Sequence, residues 1–110
     1  MTHVLPVLAE VPSLSVEFLR VAVEAWEGGE VIDPTALAVE FAFTASPDDE
    51  PEAGDWAEGD WDTSNATYLA RGLFGPGTDH PLTDGDWVAW CRVTATPERP
   101  VRAVGIVRIT

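Results

Sequence analysis

Apolar and polar residues alternate regularly between residues 37 and 43, which read Leu-Ala-Val-Glu-Phe-Ala-Phe. Successive side chains of a β-strand point to opposite faces, so one face of this segment would be bulky and apolar. That face holds Leu37, Val39, Phe41 and Phe43, with Ala38, Glu40 and Ala42 opposite. The alternation predicts a half-buried strand.

Residues 16–26 fit two kinds of element. Their apolar positions, three or four residues apart, suit a helix, whereas the valines favour a strand. The Gly28-Gly29 pair that follows is typical of a two-residue β-hairpin turn. We therefore predict a strand that runs into a hairpin, with residues 30–32 returning beside it.

Two turn-rich segments interrupt the middle of the chain. Residues 46–58, SPDDEPEAGDWAE, combine prolines and acids without periodicity and predict an exposed loop. The chain becomes extended again from Trp61, and residues 68–74 alternate before the sequence GPGTDHP at 75–81. We expect each turn-rich segment to separate two strands.

The clearest pattern is a C-terminal hairpin of residues 87–94 and 101–109, joined by ATPERP, whose prolines suit a loop. Alternation gives the core face Trp87, Ala89, Cys91, Val93, Val101, Ala103, Gly105, Val107 and Ile109. It gives the opposite face Val88, Trp90, Arg92, Thr94, Arg102, Val104, Ile106 and Arg108. This apolar stripe edged with arginines is expected to be covered, either by another subunit or by another part of the chain.

About seven short strands without a convincing helix predict an all-β fold, an antiparallel immunoglobulin-like β-sandwich. The segment LTDGDW at 82–87 supports this, since it resembles the corner before the penultimate strand of many Greek-key sandwiches. Trp87 stands where tyrosine is usual, so we expect the customary backbone bond of the tyrosine hydroxyl to be missing. We place an N-terminal arm at residues 1–15 and the sandwich domain at residues 16–110.

The chain is acidic, and its charge is uneven. It has 19 acids against 6 basic residues, all arginine, for a net charge of −13. Residues 92–110 hold four of the arginines and a single acid, Glu98. Binding to nucleic acid relies on cations that neutralise phosphates, so we expect no nucleic-acid partner. The basic C-terminal end fits either solubility alone or docking onto an acidic neighbour.

The lone cysteine, Cys91, cannot form an internal disulfide and is predicted to be a small core residue. The apolar N-terminal stretch, residues 5–26, is interrupted by prolines and charged residues. We therefore expect neither a membrane span nor a signal peptide, no membrane partner, and synthesis in the cytoplasm.

Patterns that carry catalysis or bind metal are weak. His3 and His80 lie in no recognisable catalytic context. The acidic loop offers many carboxylates but no environment that would raise the pKa of one of them. Oxygen ligands for calcium exist at Asp60, Asp62, Asp84 and Asp86, without the order of an EF-hand loop. We predict no catalytic residue, no metal site and no cofactor.

The triplet Gly-Asp-Trp occurs at residues 54–56, 59–61 and 85–87. It fits either an acid and an aromatic ring poised for a ligand, or a turn followed by an aromatic that starts a strand. The core position of Trp87 favours the second. We expect Trp56 and Trp61 to make loop contacts, by folding back or by reaching a neighbour, and Trp90 to be exposed, as in sugar-stacking sites.

Four segments together resemble one protein family. They are Gly54-Asp55-Trp56 with Trp61, Tyr68-Leu69-Ala70-Arg71, Gly75-Pro76-Gly77 and residues 85–109. The last is the most specific, with its Trp-x-x-Trp-x-Arg-Val-Thr strand, its Thr-Pro-Glu-x-Pro-Val-Arg loop and its glycine-centred final strand. The pattern is similar to that of small Ig-like proteins encoded among the head and head-to-tail joining genes of tailed phages of actinobacteria. Residues 1–15 carry no part of the resemblance.

The resemblance implies a non-enzymatic virion component, made in the host cytoplasm, that acts as a capsid decoration protein or a head-to-tail connector subunit. Its partners would be the major capsid protein or neck proteins, and copies of itself. The predicted docking face consists of Val88, Trp90, Arg92, Arg102, Val104, Ile106 and Arg108. The alternative is a soluble carbohydrate-binding or adhesin module that uses Trp56, Trp61 and Trp90.

Overall fold

A computed structural model describes residues 5–63 and 68–110, and these ranges hold ten strands, one short 3-10 helix and no α-helix. The strands are β1 (Val7–Val11), β2 (Glu17–Ala22), β3 (Ala25–Glu27), β4 (Glu30–Ile32), β5 (Ala38–Thr44), β6 (Ala57–Glu58), β7 (Asp60–Asp62), β8 (Leu69–Phe74), β9 (Gly85–Thr94) and β10 (Val101–Ile109). The helix spans Ala53–Asp55. In the described part of the chain, no helix is long and apolar enough to span a membrane.

The strands form two sheets and a separate hairpin. One sheet has five strands in the order β1-β10-β9-β5-β6, the other has three in the order β2-β8-β7, and β3 pairs with β4. All pairings are antiparallel except that of β1 with β10. The three-stranded sheet packs against a sheet whose middle strands are β10, β9 and β5, which is the arrangement of immunoglobulin-like sandwiches. The predicted all-β sandwich is confirmed.

The main core lies between the two sheets. Phe41 of β5 and Phe74 of β8 are fully buried there, and Val107 of β10 packs with them. Gly72 faces Phe41 so closely that an added Cβ would lie 2.7 Å from the ring. The alternation predicted for residues 37–43 is confirmed for Val39, Phe41 and Phe43, which all enter this core. Leu37 lies before β5, and the strand is not half-buried throughout, because Ala42 on its opposite face is fully buried as well.

The predicted hairpin after residue 26 is also present. Gly28 and Gly29 have φ angles of +59° and +84°, values that favour glycine and that a type I′ turn requires at both central residues. Trp26 pairs with Val31 across the turn. The single strand predicted for residues 16–26 is instead two strands, because β2 ends at Ala22 and β3 starts at Ala25.

The segment expected to be an N-terminal arm is part of the sandwich. Within it, β1 forms the edge of the five-stranded sheet, and the backbone N–H of Ile106 donates to the carbonyl of Pro6 over 2.8 Å. Gly105 makes this approach feasible, since an added Cβ would lie 2.6 Å from Leu8 Cδ1. Residues 1–4 of the predicted arm, and with them His3, lie outside the described residues.

A β-bulge divides β10. Ala103 pairs with Trp90 and Gly105 pairs with Ala89, so Val104 is an extra residue without a partner of its own. Because side chains alternate along a strand, one inserted residue exchanges the two faces on either side of it. A strict alternation from Val101 to Ile109 therefore cannot hold.

The faces predicted for the start of β10 are consequently wrong. Ala103 lies on the outer side of the sheet, where it packs against Trp90. Arg102 pairs with Cys91 and, like Val104, lines the space between the sheets. The seven residues of the predicted docking face thus do not share one surface: Arg102 and Val104 are separated from the other five.

Candidate docking site

The centre of the predicted docking face is buried within the chain itself. Val88 is 4% exposed and Trp90 is 8% exposed, and with Ala42 they form a second apolar cluster. The side chains packed over this cluster are Leu5, Trp56 and Ala103. Another part of the same chain therefore covers this region, which is one of the two alternatives that the sequence allowed.

The expectation that Trp90 is exposed is wrong. Its indole Nε1 donates a hydrogen bond of 2.9 Å to Thr44 Oγ1, inside the second cluster. The bond satisfies the one polar atom of the ring, so the indole can be buried without an unpaired donor. Trp90 is accordingly not a platform for a sugar.

Trp56 and Trp61 also contact their own chain. The guanidinium of Arg92 lies 4.4 Å from the ring centroid of Trp56, and Arg92 Nε donates to Glu40 Oε1 over 2.8 Å. Trp61 packs against the main core and donates from Nε1 to the carbonyl of Leu37 over 3.0 Å. The doubled Gly-Asp-Trp segment folds back onto the sandwich.

Ion pairs occupy the remaining outer surfaces of both sheets. Arg108 donates from Nε and Nη2 to the carboxylate of Asp86 over 2.8 and 3.2 Å, and these bonds lower the pKa of Asp86. Ile106, beside it, is half-buried. On the three-stranded sheet, Arg71 makes a similar pair with Asp60, which raises the pKa of the arginine. On both outer faces, arginines therefore pair with carboxylates of the same sheet.

Two arginines differ from the rest. Arg20, Arg71, Arg92 and Arg108 each pair with a carboxylate. Among the described side chains, no carboxylate pairs with Arg99 or Arg102, and Arg102 donates only to the neighbouring carbonyl of Val101. Both belong to the β9–β10 connection and the first residues of β10, so the two free cations lie at one end of the molecule.

An apolar cleft opens between the sheets at that end. It has a volume of about 430 Å³ and lies among β2, the β3–β4 hairpin and the facing ends of β9 and β10. Its lining comprises Val21, Ala22, Val23, Glu24, Ala25, Trp26, Ile32, Leu37, Cys91, Val93, Ala95, Glu98, Pro100, Arg102 and Val104. A concave, mostly apolar surface with a few charged groups is the usual form of a binding site. We call this end of the sandwich the cleft end.

Trp26 and Val31 form the exposed rim of the cleft end. Trp26 is 61% exposed and Val31 is 52% exposed, and they are cross-strand partners in the hairpin. The sequence alone did not single out Trp26 as exposed, because the hairpin extends beyond both sheets and its pattern resembles that of a buried strand. The signal that could have found it is the Gly28-Gly29 turn, which places its flanking residues at a tip.

Neither His80 nor Cys91 is set up for catalysis. His80 is buried with its ring edge against Phe43, 4.8 Å between centroids, and burial lowers its pKa more than nearby Asp79 raises it. Burial raises the pKa of Cys91 to about 11, so its thiol is protonated at neutral pH. Among the described residues, no three or more His, Cys, Asp or Glu side chains are grouped so that they could hold a metal ion.

Comparisons with known proteins add no relatives to this description. No family model matches the chain, and neither the curated proteins nor the solved structures contain a significant match to it. The candidate site at the cleft end rests on the contacts, burial and charges of this chain.

Proposed function

We propose that this protein is a non-enzymatic structural component of a tailed-phage virion, in the first place a capsid decoration protein and in the second a head-to-tail connector subunit. The resemblance of the C-terminal two-thirds to small Ig-like virion proteins supports the proposal. So does the character of the candidate site, which offers an apolar cleft and the exposed ring of Trp26 for contact with another protein.

The observation that carries the proposal is the combination of cleft, rim and unpaired arginines at one end. A partner segment that enters the cleft buries apolar surface of Trp26 and Val31, which contributes roughly 25 cal/mol per Å². Carboxylates of the same partner pair with Arg99 and Arg102. A single contact of this size is weak, and many copies on one particle add up to stable attachment.

The direct test is to look for the protein in purified particles. Quantitative mass spectrometry of virions measures its copy number relative to the major capsid protein. Hundreds of copies per particle support decoration, and about a dozen support a connector ring with cyclic symmetry. Absence from purified particles would refute the virion proposal.

A variant pair tests whether the cleft end makes the attachment. We define the cleft variant as Trp26→Ala with Arg102→Glu, which removes the exposed ring and reverses one free cation. The matched control is Arg20→Glu, on the outer face of the three-stranded sheet, where Arg20 pairs with Asp62. We expect the cleft variant to be lost from particles and the control to be retained. Equal incorporation of both would place attachment elsewhere.

A second candidate function is carbohydrate binding, and the exposure of Trp26 is the observation that favours it. An exposed indole beside Glu24 and Glu98 provides a stacking surface with hydrogen-bond acceptors, as in many sugar sites. Glycan-array binding by the full chain that disappears in Trp26→Ala would support this candidate. No binding to any glycan would exclude it within the range of sugars tested.

A further inference from the structure

The most exposed large apolar side chain of the described residues lies far from the cleft. Leu14 is 87% exposed, in the turn between β1 and β2. Single exposed leucines are common on protein surfaces. This one differs in the rigidity of the turn that presents it and in what lies at the other end of the molecule.

The turn around Leu14 is held on both sides. Ser15 N donates to the carbonyl of Pro12 over 3.0 Å, which closes the turn, and Ser13 N donates to the carbonyl of Thr110 over 3.1 Å. The following backbone packs against Gly75, where an added Cβ would lie 2.9 Å from Val16 Cα. The leucine is therefore presented on fixed backbone, which lowers the entropy that binding would cost.

Leu14 and the cleft lie at opposite ends of the sandwich. The turn is tied to Thr110, just after the end of β10, whereas the cleft is lined by Arg102 near the start of the same strand. Eight residues of extended strand span roughly 26 Å, so Leu14 and the cleft are far apart. We call the end that carries Leu14 the turn end.

The two ends also differ in the charged groups that they present. The turn end includes the acidic loop after β5 and the connection between β8 and β9, with the acids Glu17, Asp48, Asp49, Glu50, Glu52, Asp55, Asp79 and Asp84. All of them are exposed. The cleft end carries Arg99 and Arg102, the two arginines without a carboxylate among the described side chains. One end offers an apolar projection amid acids, and the other an apolar cavity whose lining holds Arg102 without a carboxylate partner and also the acids Glu24 and Glu98.

We propose that the occupant of the cleft is a second copy of this chain, whose Leu14 enters the cleft while acids of its turn end pair with Arg99 and Arg102. This inference rests on the proposed role of the cleft as a docking site. The contact is head-to-tail, so each added copy leaves one turn end and one cleft free. Repetition closes a ring or extends a row, depending on the rotation between neighbours.

The contact is weak between isolated copies. A net charge of −13 on each chain repels the next copy at long range. At about 0.15 M salt the screening length is about 8 Å, which reduces this repulsion while short-range contacts persist. Self-association should therefore be measured at physiological ionic strength, over micromolar to millimolar protein.

The first experiment is sedimentation velocity of the wild type and of Leu14→Ser. We expect the wild type to associate as its concentration rises. The variant should associate at least roughly tenfold more weakly, because it no longer buries the leucine side chain in the contact. The control is Leu73→Ser, a leucine 39% exposed on the outer face of the three-stranded sheet, which should behave as the wild type. A monomeric wild type, or equal association of Leu14→Ser, would overturn the inference.

The second experiment distinguishes head-to-tail from symmetric contact. Leu14→Ser keeps an intact cleft, and the cleft variant keeps an intact Leu14, so each alone should associate more weakly than the wild type. Mixed in equal amounts, they should form a one-to-one dimer that grows no further, because the two remaining ends are defective. A mixture that stays monomeric contradicts the head-to-tail arrangement.

The outcomes separate this inference from the proposed function. A chain that stays monomeric at millimolar concentration but is found in purified virions would refute self-association and leave the virion role intact. A chain that associates through Leu14 but is absent from virions would refute the virion role and leave self-association intact.

Discussion

At the scale of single residues, the three Gly-Asp-Trp triplets are structural. Each aspartate makes a polar contact within the chain: Asp55 accepts from the backbone of Glu52, Asp60 pairs with Arg71, and Asp86 pairs with Arg108. Each tryptophan packs against an apolar cluster of the same chain. A strand begins directly after the first triplet and inside each of the other two. The triplet starts strands and contributes no ligand site in the described structure.

Trp87 shows how this chain replaces the tyrosine of the usual corner. As expected, no tyrosine hydroxyl makes the backbone bond of this corner, but the indole Nε1 of Trp87 makes one in its place and donates to the carbonyl of Thr83 over 2.8 Å. The ring at the same time packs against the main core. An indole N–H thus supplies the donor that a phenol supplies in other sandwiches.

Replacing Trp87 with phenylalanine should cost stability. The Trp87→Phe change removes the bond to Thr83 and some buried ring area, and we expect the free energy of unfolding to fall by about 1–2 kcal/mol. Urea denaturation measures it. The control is Trp26→Phe at the exposed rim, which should change the value by less than about 0.5 kcal/mol. Equal effects at the two positions would mean that the Thr83 bond does not stabilise the corner.

Buried His80 should make stability depend on pH. Burial lowers its pKa in the folded chain below the ordinary 6.5, so the unfolded chain binds the proton first as pH falls. The contribution is complete above about pH 6.5 and is lost as pH falls toward the folded pKa, by at most about 1.4 kcal/mol per pH unit. Urea unfolding measures this with the wild type and His80→Gln between neutral and mildly acidic pH. The free energy of unfolding of the wild type, relative to that of the variant, should fall as the pH is lowered. If the free energies of unfolding of the two proteins changed equally with pH, the lowered pKa of His80 would be contradicted.

At the scale of elements, the sequence predicted the strands better than their faces. The alternation of residues 37–43 and the Gly28-Gly29 turn depend on neighbours in sequence, and both are confirmed. The bulge at Val104 changes no local composition, yet it exchanges the faces of Ala103 and Arg102. Nothing in the alternation of apolar residues marks an inserted residue, so the docking face could not be predicted correctly from it.

The covering of an outer face was equally hidden. Trp90 is buried because Trp56 and Leu5, more than thirty residues away along the chain, pack over its cluster. Such long-range contacts follow from the fold as a whole, not from the period of one strand. The same holds for the cleft, whose lining is drawn from five strands and three connections. The sequence therefore predicted the architecture and missed the site.

The parallel contact of β1 with β10 should depend on Gly105. In Gly105→Ala, the added Cβ would lie 2.8 Å from the carbonyl oxygen of Pro6, which already accepts from Ile106 N. We expect a loss of about 1–3 kcal/mol in the free energy of unfolding, and faster hydrogen exchange in β1. Gly54→Ala is the control, because no heavy atom lies within 4 Å of its added Cβ. Unchanged exchange in β1 would show that this edge tolerates the methyl group.

At the scale of the whole molecule, the arginines fall into two groups, one paired with carboxylates and one without such partners among the described side chains. Four of the six pair with carboxylates on the outer faces of the sheets, where they offset part of the acidic charge. The other two, Arg99 and Arg102, remain at the cleft end. In so acidic a chain, two arginines without a carboxylate partner at the end that carries the cleft favour a docking role for that end.

The same charge imbalance predicts how salt affects stability. With a net charge of −13, repulsion among carboxylates destabilises the folded chain, whereas exposed ion pairs stabilise it by little. Raising NaCl from about 10 to about 150 mM shortens the screening length from roughly 30 Å to roughly 8 Å. Long-range repulsion weakens more than the short pairs do, so the melting temperature, followed by circular dichroism, should rise.

A comparison at lower pH checks the cause of that rise. Near pH 5 the chain is closer to its isoelectric point of about 4.1 and repels itself less, so the same salt increase should raise the melting temperature by a smaller amount. A melting temperature that falls with salt at neutral pH would mean that the four ion pairs outweigh the repulsion. In that case the ion pairs within each sheet, and not the apolar core alone, would stabilise the folded chain.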